Sequence, residues 1–67
     1  MQGVIKNLRL DKGFGFITPS EGGKDVFFHA SDLTDIDFDS LVVGTEVSFE
    51  MGESAKGPKA VSVVILG

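Results

Sequence analysis

Four side chains able to grip a flat ring sit at alternate positions in two short segments. Phe14 and Phe16 lie in Lys12-Gly-Phe-Gly-Phe-Ile17, and Phe27 and His29 lie in Asp25-Val-Phe-Phe-His29. On a strand, successive side chains point to opposite faces, so all four can emerge from one side of one sheet. Such a row is a platform for unpaired bases, each worth about 1–3 kcal/mol when stacked on an aromatic. Gly15, Ile17, Val26 and Phe28 point the other way and supply the apolar face a core requires. A phenylalanine in a small β protein is ordinarily core, and Phe28 and Phe49 are read so. That reading fails for Phe14, Phe16 and Phe27 jointly, because Ile17, Val26 and Phe28 already claim the opposite face. Phe38 lies in a polar loop, where it either pins the loop to the body or waits for a base. His29, the one histidine, has a ring that stacks when neutral.

The elements that must hold these groups read as strands throughout. Apolar residues alternate or cluster in short runs bounded by glycine and aspartate, and no eleven-residue window keeps helical spacing with a cap at each end. The expected strands run over 3–10, 14–19, 25–29, 45–51 and 59–66. Asp11-Lys-Gly13 makes a short hairpin turn and Ser20-Glu-Gly-Gly23 a longer one, so the first three strands form a meander. An aspartate-rich crossing follows, in which Ala30-Ser-Asp-Leu33 has room for one helical or 3₁₀ turn. In the fourth strand Val47, Phe49 and Met51 are expected inward, with Glu46, Ser48 and Glu50 outward. In the fifth, Val61, Val63 and Ile65 share one side. This order predicts an all-β, five-stranded antiparallel Greek-key barrel of the OB-fold type, closed so that no edge strand is exposed. A small SH3-like barrel also uses five short strands, and periodicity alone does not separate the two.

Composition bounds the rest. Sixty-seven residues are read as one domain spanning 1–67. With no cysteine and one histidine, no disulfide framework, metal centre or other cofactor is expected. The longest apolar run, Val63-Val-Ile-Leu66, is far short of the roughly 20 residues of a membrane span. The start also lacks a signal-peptide layout, so a cytoplasmic protein is expected. Ten acidic against six basic residues give a net charge of −4. General attraction to phosphate is therefore absent, and any nucleic-acid binding must come from stacking plus a local cluster of cations.

Through these segments the chain resembles the bacterial cold-shock proteins over essentially its whole length. Lys12-Gly-Phe-Gly-Phe-Ile17 looks like the family's first ribonucleoprotein motif and Val26-Phe-Phe-His29 like its second. Gly44-Thr-Glu-Val-Ser-Phe-Glu50 and Lys56-Gly-Pro58 fall where the family has its fourth strand and the turn into its fifth. The resemblance implies binding of single-stranded RNA or DNA with little sequence preference, in several members as an RNA chaperone. It implies stacking roles for Phe14, Phe16, Phe27, His29 and Phe38, and phosphate or base-edge roles for Lys6, Lys12, Asp25 and Lys56. Lys24 and Lys59 are read as ordinary solvated charges. The expected partner is a single nucleic-acid strand, met by a monomer without membrane or metal. The alternative is a cold-shock barrel that has lost this affinity and docks proteins on its aromatic face.

The chain departs from the family pattern at informative places. Where the family usually has an exposed tryptophan and then phenylalanine in the first strand, this chain has Asn7 and Leu8, and where an aromatic commonly follows the motif histidine it has Ala30. Losing two platforms would remove roughly 2–6 kcal/mol if the effects added. Micromolar binding is only about 8 kcal/mol in all. Binding weaker than in typical relatives, over a shorter footprint, is therefore expected, and Arg9 is the candidate to offset part of the loss by covering a base or pairing with phosphate. Two coincidences carry less. Asp35, Asp37, Asp39 and Glu46 match EF-hand spacing, but Ser40 replaces the required glycine, and the acidic loop is read as solvated and phosphate-repelling. Gly22-Gly-Lys24 resembles the end of a phosphate loop, but Thr18 and Asp25 stand where glycine and Ser or Thr are required. No catalytic constellation appears, and enzyme activity is not expected.

Overall fold

The computed structural model describes residues 1–34, 36–55 and 57–66. Five strands, β1 (Gln2–Arg9), β2 (Phe14–Pro19), β3 (Val26–His29), β4 (Glu46–Ser54) and β5 (Gly57–Ile65), close into a barrel in the order β1-β2-β3-β5-β4. The meander, the crossing and the final hairpin are as the sequence predicts. The crossing carries two 3₁₀ turns: Ala30–Asp32, the one anticipated, and Phe38–Ser40, which was not.

The sequence predicts an antiparallel barrel, and the strands pair so everywhere except at one seam. β3 and β5 run parallel, meeting at the single register pair Phe27 and Lys59. The reason is parity. Directions that alternate around a ring of five cannot close, so one neighbouring pair must run the same way.

Two irregularities in register decide which residues face inward. In β1, Ile5 stands opposite Ile17 and Asn7 opposite Phe16, so Lys6 is an extra, bulged residue. Gly3 and Ile5 face inward before the bulge, and Leu8 packs against the core after it. In β5 the shift falls between the pairs Ser48–Val64 and Glu50–Val61, where three residues of β5 span two of β4 and Ser62 takes φ 52°. Simple alternation therefore fails in β1 and β5. Ala60 and Val63 are the buried residues of β5, Val61 is half-buried and Ile65 is exposed, contrary to the expected Val61, Val63 and Ile65 face. Met51, expected inward, is 45% exposed because β4 outruns its partner β1, whose pairing with it ends at Ser48.

Phe28, Phe49, Ile5, Ile17, Val47 and Val63 are fully buried and fill the barrel. Phe28 fits because Gly15 lies beneath it. A methyl group on Gly15 would lie 2.6 Å from the Asn7 carbonyl oxygen and 2.9 Å from the Phe28 ring. At the β1–β2 turn, the Lys12 and Gly13 amides donate to the Arg9 carbonyl, and Gly13 takes φ 74°, a left-handed conformation that favours glycine. Among the described residues, no helix is long and apolar enough to cross a membrane.

Gly15→Ala should cost about 1–3 kcal/mol through overpacking. Each kcal/mol corresponds to roughly 4–8 °C in melting temperature for a domain of this size. A thermal melt unchanged from the parent would show that the two strands do not approach so closely.

Candidate nucleic-acid interface

The pairing of the first three strands arranges the outer face as two rungs. Asn7, Phe16 and Phe27 are cross-strand partners along one, and Arg9, Phe14 and His29 along the other. Partners in register share a face of the sheet. The inward partners Ile17, Val26 and Phe28 are buried, which holds the alternate set outside. Phe14, Phe16 and Phe27 are half-buried and His29 is exposed.

The three rings form one cluster. Phe14 and Phe16 meet edge to face with centroids 5.9 Å apart, Phe14 and Phe27 are tilted at 5.5 Å, and Phe16 and Phe27 meet edge to face at 6.0 Å. These are the preferred geometries of aromatic pairs. Together with Lys12 and His29, the three rings line an open hollow of about 510 Å³.

His29 is fixed by the 3₁₀ turn that follows it. The Ser31 amide donates to Nδ1 at 3.2 Å, and the Ser31 hydroxyl lies 3.1 Å from the same nitrogen. An amide can only donate, so Nδ1 is the acceptor and the neutral ring carries its proton on Nε2. The His29 amide donates to Asp32 Oδ2 at 3.0 Å, and that oxygen also pairs with Lys59 Nζ at 3.1 Å. Lys59, read from sequence as a solvated charge, is instead largely covered, with its side chain 21% exposed and that of Asp32 10%. The pair ties the turn bearing His29 to β5 across the parallel seam. Sequence reasoning passed over Asp32, although its place three residues after the cap His29 is capping-box spacing.

Lys6, Arg9 and Lys12 are exposed around the rings. Lys6 lies 3.3 Å from Asp25 Oδ2, and the Thr18 hydroxyl donates to Asp25 Oδ1 at 2.8 Å. The Thr18 hydrogen bond, assisted by the Lys6 charge, holds the Asp25 carboxyl below the ordinary aspartate value. Arg9 stands opposite Phe14, so the β1 bulge brings it onto the platform face. The same bulge puts Asn7 on that face and turns Leu8 toward the core. Phe38 is half-buried with its ring 6.2 Å from that of Phe28, so it packs the loop against the core. It is not among the residues lining the hollow. Lys56, and Asp35 at the head of the acidic loop, lie outside the described residues. Glu46, the far end of the EF-hand spacing, begins β4.

A closed five-stranded barrel with an aromatic outer face and cations at its margin defines the class: a small β barrel of the OB type. The sequence comparisons narrow it. The family model described as 'Cold-shock' DNA-binding domain matches residues 1–66. Cold shock-like protein CspE of Buchnera aphidicola subsp. Acyrthosiphon pisum (strain APS) is 47% identical over 66 residues, covering 98% of this chain and 96% of that protein. Cold shock-like protein CspI of Escherichia coli (strain K12) is 48% identical over 66 residues, covering 98% and 94%. Cold shock-like protein CspB of the same strain is 45% identical over 65 residues, covering 97% and 92%. This chain belongs to the cold-shock domain family.

The Asp25 carboxyl should titrate below an ordinary aspartate, and Thr18→Val should raise its midpoint, both read from side-chain carboxyl chemical shifts. Because the folded value is depressed, ionised Asp25 adds to stability above the ordinary carboxylate range, and that contribution is lost as pH falls below it. An unmoved midpoint in the valine variant would remove Thr18 as the main cause. Asp32→Ala should cost about 1–3 kcal/mol by stranding Lys59 and the His29 amide. Asp39→Ala, at an exposed position, should stay within about 0.5 kcal/mol in the same denaturant titration.

Proposed function

We propose that this cold-shock domain, acting as a cytoplasmic monomer, binds single-stranded RNA or DNA and keeps it extended, in the manner of an RNA chaperone. The observation that carries this reading is the cluster of Phe14, Phe16 and Phe27, centroids 5.5–6.0 Å apart, presented outward while the core is filled by other residues. Bases stack on such rings whatever their identity, because every base has a π-face. Lys12, and Lys6 where phosphate displaces Asp25, neutralise the backbone. Asp25 on the same margin accepts from base amino groups.

The affinity is set low by the positions that lack rings. Asn7 occupies a platform position with an amide in place of an aromatic, and Ala30 adds no ring beside His29. The net charge of −4 adds nothing to attraction at long range. Stacking therefore supplies most of the binding energy, with two or three phosphates assisting.

Titration with a pyrimidine-rich strand should perturb the amides of β2 and β3 first. Phe14→Ala, Phe16→Ala and Phe27→Ala should each weaken binding by about 1–3 kcal/mol. Raising salt should lower log affinity with a slope of about 0.7 per phosphate neutralised. No perturbation at millimolar strand would overturn the proposal, and binding of a protein partner that ignores salt would favour the docking alternative.

A further inference from the structure

The rungs of the platform end on β1 in two polar planar side chains. Arg9 stands in register with Phe14, and Asn7 with Phe16. Both are exposed, and neither side chain takes a hydrogen bond or ion pair among the described residues. On the same rung as Arg9, the far end is His29, whose Nε2 carries the free proton. A base lying on Phe14 is therefore flanked by donors, a guanidinium on the β1 side and an imidazole N–H on the β3 side.

The guanidinium is selective where the rings are not. Its parallel N–H groups match two adjacent acceptors in one plane. Guanine presents O6 and N7 in that arrangement, whereas adenine sets an amino group beside N7, and uracil and thymine set an N–H between their carbonyls. Cytosine also has adjacent acceptors, O2 and N3, and is separated from guanine by its shorter reach. A purine also reaches further than a pyrimidine from a ring it covers, so its outer edge falls toward β1. Cross-strand neighbours stand only about 4.5–5.5 Å apart at Cβ, which puts that edge within the span of an arginine.

Resting on the reading of this face as a single-strand platform, we propose that the rung Arg9–Phe14–His29 selects guanine, with Arg9 pairing to its O6 and N7 while the base is stacked on Phe14. The chain is thereby a single-strand binder with one base-specific position among otherwise tolerant ones. Arg9 acts here on a base edge, while phosphate neutralisation stays with the lysines.

The test compares heptamers of thymidylate with the same strand carrying one central guanine, adenine or 7-deazaguanine, in the full chain at fixed salt. Guanine should bind at least about fivefold more tightly than adenine, at the low end of what a bidentate pair discriminates. 7-Deazaguanine, which lacks N7, should lose most of that gain. Arg9→Lys keeps the charge but not the fork, so it should abolish the guanine preference. Equal binding of guanine and 7-deazaguanine, or a preference that survives Arg9→Lys, overturns the inference while the platform reading stands. Failure of every strand to bind overturns both.

Discussion

The structure depends on one spatial constraint, the packing of Phe28 over Gly15 at the centre of the barrel. The glycine leaves room for the ring on the inner side of β2 and lets the Asn7 carbonyl approach from β1. With Phe28 seated and Ile17 and Val26 buried beside it, β2 and β3 have a single acceptable register. A slip of one residue would drive the outer phenylalanines into the core and expose the inner set. The aromatic outer face is thus held in place from behind, by buried residues.

The same economy explains why polar groups at the margin are tied to the scaffold. Asp32 joins the amide of His29 to the ammonium of Lys59, and the Ser31 amide fixes which nitrogen of the imidazole is free. The rings need only packing to hold their places, whereas the imidazole sits at the end of a short strand and requires a turn and a carboxylate. Rigid placement before a ligand arrives limits the ordering entropy lost on binding. This matters most in a domain with few stacking positions.

Much of this was legible in the residues. Five strands, the meander, the crossing and the outward set Phe14, Phe16, Phe27 and His29 follow from alternation and turn chemistry, which are local. What escaped was set by contacts between strands. The extra residue in β1, which turns Leu8 inward and Arg9 outward, and the kink at Ser62, which moves the buried set of β5 to Ala60 and Val63, leave no mark in a period-two pattern. The cover over Lys59 depends on Asp32, far away in sequence. Phe38 was ambiguous because a polar loop says nothing about which ring it will meet, and here it meets Phe28.

The odd number of strands has a consequence for how the wall fails. Among the described residues, its parallel junction has one register pair between the strands, Phe27 with Lys59, where the hairpin of β4 and β5 has seven. The links that reinforce that junction lie outside the two strands' own pairing: the Leu33–Val63 bridge, the Thr34 amide donating to the Val63 carbonyl, and the Asp32–Lys59 pair. Loss of that last fastening would loosen the wall and the seat of His29 together, because Asp32 also holds the His29 amide.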